Sequence, residues 1–223
     1  MVSLITEGRS EDDKGRPFRR RRAAPILAVL LVLALIGVAV WVKVLTTSDQ
    51  STPSVACNAP AASADPNTPA LGDEVAPSAL QDVEPAALST TRVRVFNANG
   101  QGGQAATVAA ELSDYGFASA PDVQVGNDPI YVDQNMQCQG QIRFGESGLA
   151  AASTVALVAP CTELIQDSRT DDTVDLALGS YFKDLQPNTD AEAVLQALAS
   201  TPAGSEPAPL DIDLLAAARL SRC

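Results

Sequence analysis

Arg92-Val93-Arg94-Val95-Phe96-Asn97-Ala98-Asn99-Gly100-Gln101-Gly102-Gly103-Gln104-Ala105-Ala106-Thr107-Val108-Ala109-Ala110-Glu111-Leu112-Ser113-Asp114-Tyr115-Gly116-Phe117 switches its apolar period from two to nearly four partway along. Val93 and Val95 alternate with Arg92 and Arg94, the pattern of a strand with one wet face. Asn97 to Gly103 reads as a turn. Ala105, Val108, Ala109, Leu112 and Tyr115 then recur at helical spacing, and Gly116 stands where a left-handed cap would end that helix.

A second copy of this unit lies downstream. Ile142-Arg143-Phe144 parallels Val93-Arg94-Val95, and Ser153-Thr154-Val155-Ala156 parallels Ala106-Thr107-Val108-Ala109, so both units read strand, glycine turn, helix. Pro160 closes the second helix. Thr162 to Ile165 supplies a further strand, and Val174, Leu176 and Leu178 alternate in another, ended by Gly179. Asp190 is the expected cap of a helix carrying Val194, Leu195 and Leu198, and Leu210 to Leu220 is a last amphipathic stretch. This order predicts an α/β fold, a two-layer sandwich over residues 89–200, with 201–223 as a helical tail.

Toward the N-terminus, Ala23 to Val42 forms twenty residues without a charge, the length that crosses a hydrocarbon core of roughly 30 Å. Arg16 and Arg19 to Arg22 precede it and Lys43 follows, so the positive-inside rule places residues 1–22 in the cytoplasm, 23–45 across the membrane as a single pass, and the rest outside. A cleaved signal peptide would have a shorter apolar region, and Cys57 lies too far from the apolar edge for a lipoprotein anchor. Residues 46–88 carry Pro53, Pro60, Pro66, Pro69, Pro77 and Pro85 among small polar side chains, a composition expected of a spacer.

Charge and composition narrow the chemistry. The chain has a net charge of −12, 15 basic against 27 acidic side chains, and no histidine. The basic excess is confined to the region before the outer part, so nucleic acid, whose binding rests on cations against phosphate, is excluded as a partner. Without histidine the commonest general base and metal ligand are missing; no catalytic, metal or cofactor residues are expected. All four cysteines, Cys57, Cys138, Cys161 and Cys223, follow the apolar run and suit disulfides in an exported region. A strand-helix-strand crossover between Cys138 and Cys161 would set them at one end of neighbouring parallel strands, which favours Cys138–Cys161 and leaves Cys57–Cys223.

Four local motifs invite a functional reading. Gly100-Gln101-Gly102-Gly103-Gln104-Ala105 spells a dinucleotide fingerprint, but it reads as a flexible turn, since a dinucleotide fold needs a larger parallel sheet and a cytosolic supply of cofactor. Gly145-Glu146-Ser147-Gly148 lacks the spacing of a nucleophile elbow. Asp167, Asp171, Asp172 and Asp175 could offer oxygen ligands to calcium, though without loop spacing they read as a solvated turn partly neutralised by Arg169. Arg94 and Arg143 fall on the sheet face opposite the helices, where they either form an anion site for phosphate or a charged glycan, or pair with Asp175 and other acids.

The stretch Val93 to Gly100, with Gly103 to Ala106, Ile142 to Gly145 and Val174 to Gly179, resembles the LytR C-terminal domain. Further stretches, among them Ile5 to Gly8, Gly15 to Arg20, Asn127 to Tyr131, Cys138 to Gly145 and Ala159 to Leu164, make the chain similar along nearly its full length to envelope integrity proteins of mycobacteria and their relatives. The resemblance implies a role in maintaining the envelope. In the larger family this domain often accompanies a catalytic domain that transfers glycopolymers to peptidoglycan, and the chain has no room for one.

The expected function is therefore a non-enzymatic, membrane-anchored envelope protein that binds a cell-wall glycopolymer, an envelope lipid or an envelope protein. Two alternatives stand beside it. One is a lipid carrier with an apolar cavity between helices and sheet; the other is a wall-polymer hydrolase or transferase using carboxylates such as Glu111, Glu146 and Asp175.

Overall fold

A computed structural model describes residues 24–47, 56–63, 65–201 and 209–220. The expected cytoplasmic tail and Cys223 lie outside them. The chain divides into two units, residues 1–50 and 51–223.

In the first unit, helix α1 runs over Ala24–Thr47, 24 residues or about 36 Å at 1.5 Å per residue. Ile26, Leu30, Leu33 and Ile36 are each more than half exposed. Among the described residues no helix is long and apolar enough to cross a membrane.

The second unit is built on one mixed sheet of seven strands. In chain order they are β1 (Asp73–Val75), β2 (Arg92–Asn97), β3 (Ala118–Ser119), β4 (Val125–Asn127), β5 (Gly140–Phe144), β6 (Glu163–Gln166) and β7 (Val174–Leu178). The spatial order is β1-β6-β5-β7-β2-β3, with β4 continuing the β3 edge against β2. Helix α2 (Gln104–Tyr115) joins β2 to the parallel β3 and β4, and α3 (Leu149–Val158) joins β5 to the parallel β6. Both predicted strand-helix units are thus crossovers. Strand β7 lies between them, parallel to β2 and antiparallel to β5, which makes the sheet mixed.

Alternation sets the two faces. Val93, Val95, Ile142, Phe144, Leu176 and Leu178 join one apolar core with Val108 and Leu112 of α2, Ala152 and Val155 of α3, and Val194, Leu195 and Leu198 of α4 (Thr189–Ala199). Side chains of this size contribute about 1.5–3 kcal/mol each when buried. Gly116 ends α2 in the left-handed region at φ 101°, and its N–H reaches back to the Leu112 and Ser113 carbonyls. At the start of α4 the cap is Asn188, whose side chain accepts from the Ala191 N–H, instead of the expected Asp190. Asn188 also donates to the Ala218 carbonyl at 3.0 Å, which ties α4 to helix α5 (Ile212–Ala218), capped in turn by Asp211.

Among the described residues the opposite face carries no helix, and the expectation of a spacer over 46–88 is corrected from residue 56 onward. Asn58 accepts from the Gln137 N–H at 2.6 Å and donates to the Asn135 carbonyl at 3.0 Å. Strand β1 pairs antiparallel with β6 at the sheet edge, and Leu80, Ala87 and Leu88 are buried. Leu80 and Leu88 join the main core on the helix side, whereas the stretch from Cys57 to Leu71 lies on the back face. Together with the loop 128–138 it covers the back face with a smaller cluster of Ala98, Ile130, Tyr131, Met136, Cys138 and Ala177, against which Cys57 and Leu71 pack.

Candidate functional site

The back face brings Arg94 and Arg143 onto one surface, but the two meet different surroundings. Register places Arg94 and Arg143 on either side of Asp175 in β7. Asp175 is held at 2.5 Å by Arg94 and at 2.7 Å by Arg169, so Arg143 turns to the loop after β4, where its Nη1 donates to Asp128 at 2.7 Å. That pair is buried, with side-chain exposures of 1% and 0%. Gln141 accepts twice from the same guanidinium, at 3.0 and 2.9 Å, and the Arg143 Cζ lies 5.7 Å from the Tyr131 ring centroid. The second oxygen assignment of Asp128 is equally complete, since its Oδ1 accepts from the Ile130 and Tyr131 N–H groups. The reading of Arg143 as a surface cation is therefore corrected. Alternation fixes which face a residue takes, not whether another segment covers that face.

The network continues outward. Burial pushes the Tyr131 phenol up from its usual range, offset in part by Arg143 and Gln141; its hydroxyl donates to the Asn58 carbonyl at 2.5 Å. Glu163 accepts from the Cys57 N–H at 2.6 Å and from Gln141 at 3.0 Å. Burial opposes the charge of Arg169, yet Asp167 and Asp175 outweigh it and raise its pKa. Burial likewise acts to raise the Asp167 carboxyl, and the hydrogen bonds and charge of Arg169 overcome it and hold that carboxyl below the usual range.

The cysteine pairing differs from expectation. Cys57 is bonded to Cys138 across 81 residues, with Cα atoms 4.8 Å apart, and not to Cys223. Cys161 is in a disulfide as well, so Cys138–Cys161 is overturned too. The strands after Cys138 and Cys161 are parallel neighbours as predicted, but the loop 128–138 folds over the back face and carries Cys138 to the segment around Cys57.

The remaining motifs are absorbed by local structure. The side-chain oxygen of Asn97 accepts from the Ala105 N–H at 2.9 Å, occupying the start of α2 where a phosphate would lie. Asp172 pairs with Arg92 at 3.2 Å and Asp171 accepts from Thr173, and among the described residues no group of acids, cysteines or histidines could hold a metal ion.

A cleft of about 590 Å³ opens beside the charged network. Gly72 and Asp73 form one wall, Glu146 and Ser147 a second, and Asp167 and Arg169 a third. It lies just outside the carboxyl ends of β5 and β6, two parallel neighbours joined by α3. Nothing in the sequence joins these walls, the first of which comes from more than seventy residues before the other two. The signal closest to them was the Gly145-Glu146-Ser147-Gly148 turn.

Comparison with known proteins follows the same lines. Residues 90–182 match the family described as LytR cell envelope-related transcriptional attenuator. Over its full length the chain is 45% identical to the cell envelope integrity protein Cei of Mycobacterium tuberculosis, covering all of both chains. The fold is similar, at a TM-score of 0.61 and 49% identity, to the crystal structure of the soluble domain of a conserved hypothetical secreted protein from Mycobacterium marinum, covering 69% of this chain and 99% of that one. With a match that runs end to end and a domain of LytR C-terminal type at its centre, the chain belongs to the family of the cell envelope integrity protein Cei.

Proposed function

We propose that the protein is a non-enzymatic, membrane-anchored module that supports envelope integrity by holding a wall component outside the cytoplasm. The observation that carries this reading is the end-to-end relationship to a protein named for envelope integrity. The charge-free run from Ala23 to Val42, the arginines before it and the exposed apolar side chains of α1 support the anchor and its orientation.

The geometry favours binding over the two alternatives. Of the carboxylates considered for an enzyme, Asp175 is fixed by two arginines, Glu111 lies on α2 near Asp114 and Asp184, and Glu146 lines the cleft. Glu111 stands apart from the other two and Asp175 is committed to its arginines, whereas acid and base on a glycosidic bond must both be free to face each other across it. For a lipid carrier, the gaps between helices and sheet have volumes near 10 Å³ beside Val93, Val95 and Leu112 and about 130 Å³ beside Leu80, Ala156 and Leu164, both below the roughly 300–1,000 Å³ of small-molecule sites.

The test is genetic. Deletion of the gene should raise uptake of a permeant dye, and the full-length protein should restore the barrier, whereas a version ending before residue 56 should not. An unchanged barrier in the deletion strain would refute the envelope role. Alkaline phosphatase fused after Thr90 should be active, and an expressed but inactive fusion overturns the orientation.

A further inference from the structure

We infer that the cleft between β1, the β5–α3 turn and the β6–β7 loop is the binding site of this module, and that its ligand presents a primary ammonium group on a polar wall fragment. This rests on the wall-binding reading above and adds the place and the chemistry.

Three observations converge on the cleft. Its volume, about 590 Å³, falls among small-molecule sites of roughly 300–1,000 Å³. Its position outside the carboxyl ends of two parallel strands is where α/β sheets receive ligands, because the loops that follow such strands diverge there. Its walls are also fixed to one another. A Cβ on Gly72 would stand 2.1 Å from the Gln166 carbonyl oxygen, and one on Gly145 would stand 2.1 Å from that of Arg169. Backbone thus touches backbone on two sides of the cleft, and only glycine permits either contact, which leaves a cavity shaped before any ligand arrives.

The charges in the cleft then select the ligand. Asp167 and Arg169 satisfy each other, with the guanidinium Nε donating to both carboxylate oxygens at 2.8 and 2.9 Å. Arg169 is also tied to Asp175 at 2.7 Å and to the Thr173 carbonyl at 3.3 Å. It is therefore not available to an incoming anion. Asp73 and Glu146, on opposing walls, are exposed, and among the described residues neither carboxylate has a hydrogen-bond or ion-pair partner. Two unpaired carboxylates facing one preformed cavity attract a cation and repel an anion. Among the described residues the lining contains no aromatic ring, so a sugar stacked on its face finds no platform there, while Ser147, Ser168 and Thr170 offer hydroxyls to a polar scaffold. An ammonium of this kind occurs on a de-N-acetylated amino sugar and on the diamino acid of a wall peptide.

Both sources are tested on the full-length protein in detergent, by calorimetric titration at pH 7 and low salt with a glucosamine trimer and with the peptide Ala-Glu-Lys, each alongside its N-acetylated form. At least one amine probe should bind, and its acetylated form should bind at least tenfold more weakly. Asp73→Asn and Glu146→Gln should each weaken binding about fivefold, the effect of one exposed charge pair, without changing the unfolding midpoint. Binding of the trimer alone assigns the amino sugar, and binding of the peptide alone assigns the diamino acid. Equal binding of acetylated and free forms, no binding of either amine, or unaltered binding in the double variant overturns the assignment. The envelope role has its own readout: a wild-type protein that restores the dye barrier but binds neither amine refutes the cleft alone.

Discussion

Replacing Arg143 by methionine removes one half of a buried ion pair and strands the other. Asp128 has a side-chain exposure of 0% and keeps only the two backbone donors on its Oδ1, while Gln141 loses both of its guanidinium contacts. Leaving a buried charge uncompensated costs about 3–5 kcal/mol, a large share of the roughly 5–15 kcal/mol that holds a domain of this kind folded. Asp128→Asn keeps an acceptor for the Ile130 and Tyr131 N–H groups but strands the guanidinium, so a loss of similar size is expected. The double variant should lose clearly less than the two single losses combined, because neither charge is then left alone. Urea unfolding of the outer region, residues 56–223, followed by circular dichroism and read as the midpoint at constant slope, measures all three. Single losses below about 1 kcal/mol, the size expected of an exposed pair, or strict additivity in the double variant, would refute the assignment of Arg143 to the buried network.

Three further outcomes follow from other parts of the structure. Replacing Cys57 and Cys138 by serine opens a loop of 81 residues and should lower stability by about 4.5 kcal/mol on the chain-entropy estimate; an unchanged urea midpoint would show that the loop gives no constraint. Gly145→Ala drives a methyl into the Arg169 carbonyl, and should cost about 1–3 kcal/mol, measured in the same titration, with loss of amine binding as the cleft walls separate. Glu111 has its pKa raised first by burial and then by Asp184 and Asp114. Its ionised form is thus disfavoured in the folded state, so the group weakens the fold as pH rises past its unfolded value near 4.5. Glu111→Gln should therefore stabilise the protein at pH 7 and have no effect well below pH 4, and equal effects at both would contradict the shift.

Legibility from sequence followed periodicity. The β2–α2 unit was readable because its apolar residues keep one period and then another with glycines at the turn, and the β5–α3 unit through its parallel to it, since α3 is buried nearly all round and shows no single apolar stripe. Strands β3 and β4 span two and three residues at an edge, too short to display alternation, and Asp73-Glu74-Val75 sits in a proline-rich stretch with no apolar pattern of its own. The same blindness hid the back face. Val-Arg-Val and Ile-Arg-Phe look alike, yet Arg94 remains 25% exposed and Arg143 does not, because the 128–138 loop sets Asp128 and Tyr131 against Arg143 and not against Arg94. Asp128 was the recoverable clue: Asn-Asp-Pro is a turn sequence, and its carboxylate accepts from the next two N–H groups as an Asx turn does. The cleft was not recoverable, since its three walls share no local pattern.

The bond between Cys57 and Cys138 also decides how the domain bears load. A pull arriving along the chain from residues before 56 reaches Cys57 and crosses directly to Cys138, two residues before β5 begins. The stretch from 58 to 137, which includes β1, β2, α2 and the β3–β4 edge, lies within the covalent loop and outside the line of force. Tension therefore enters at a central strand, where the hydrogen bonds of β6 and β7 on both sides resist together in shear, and the short edge strands, which would peel one bond at a time, are relieved of it.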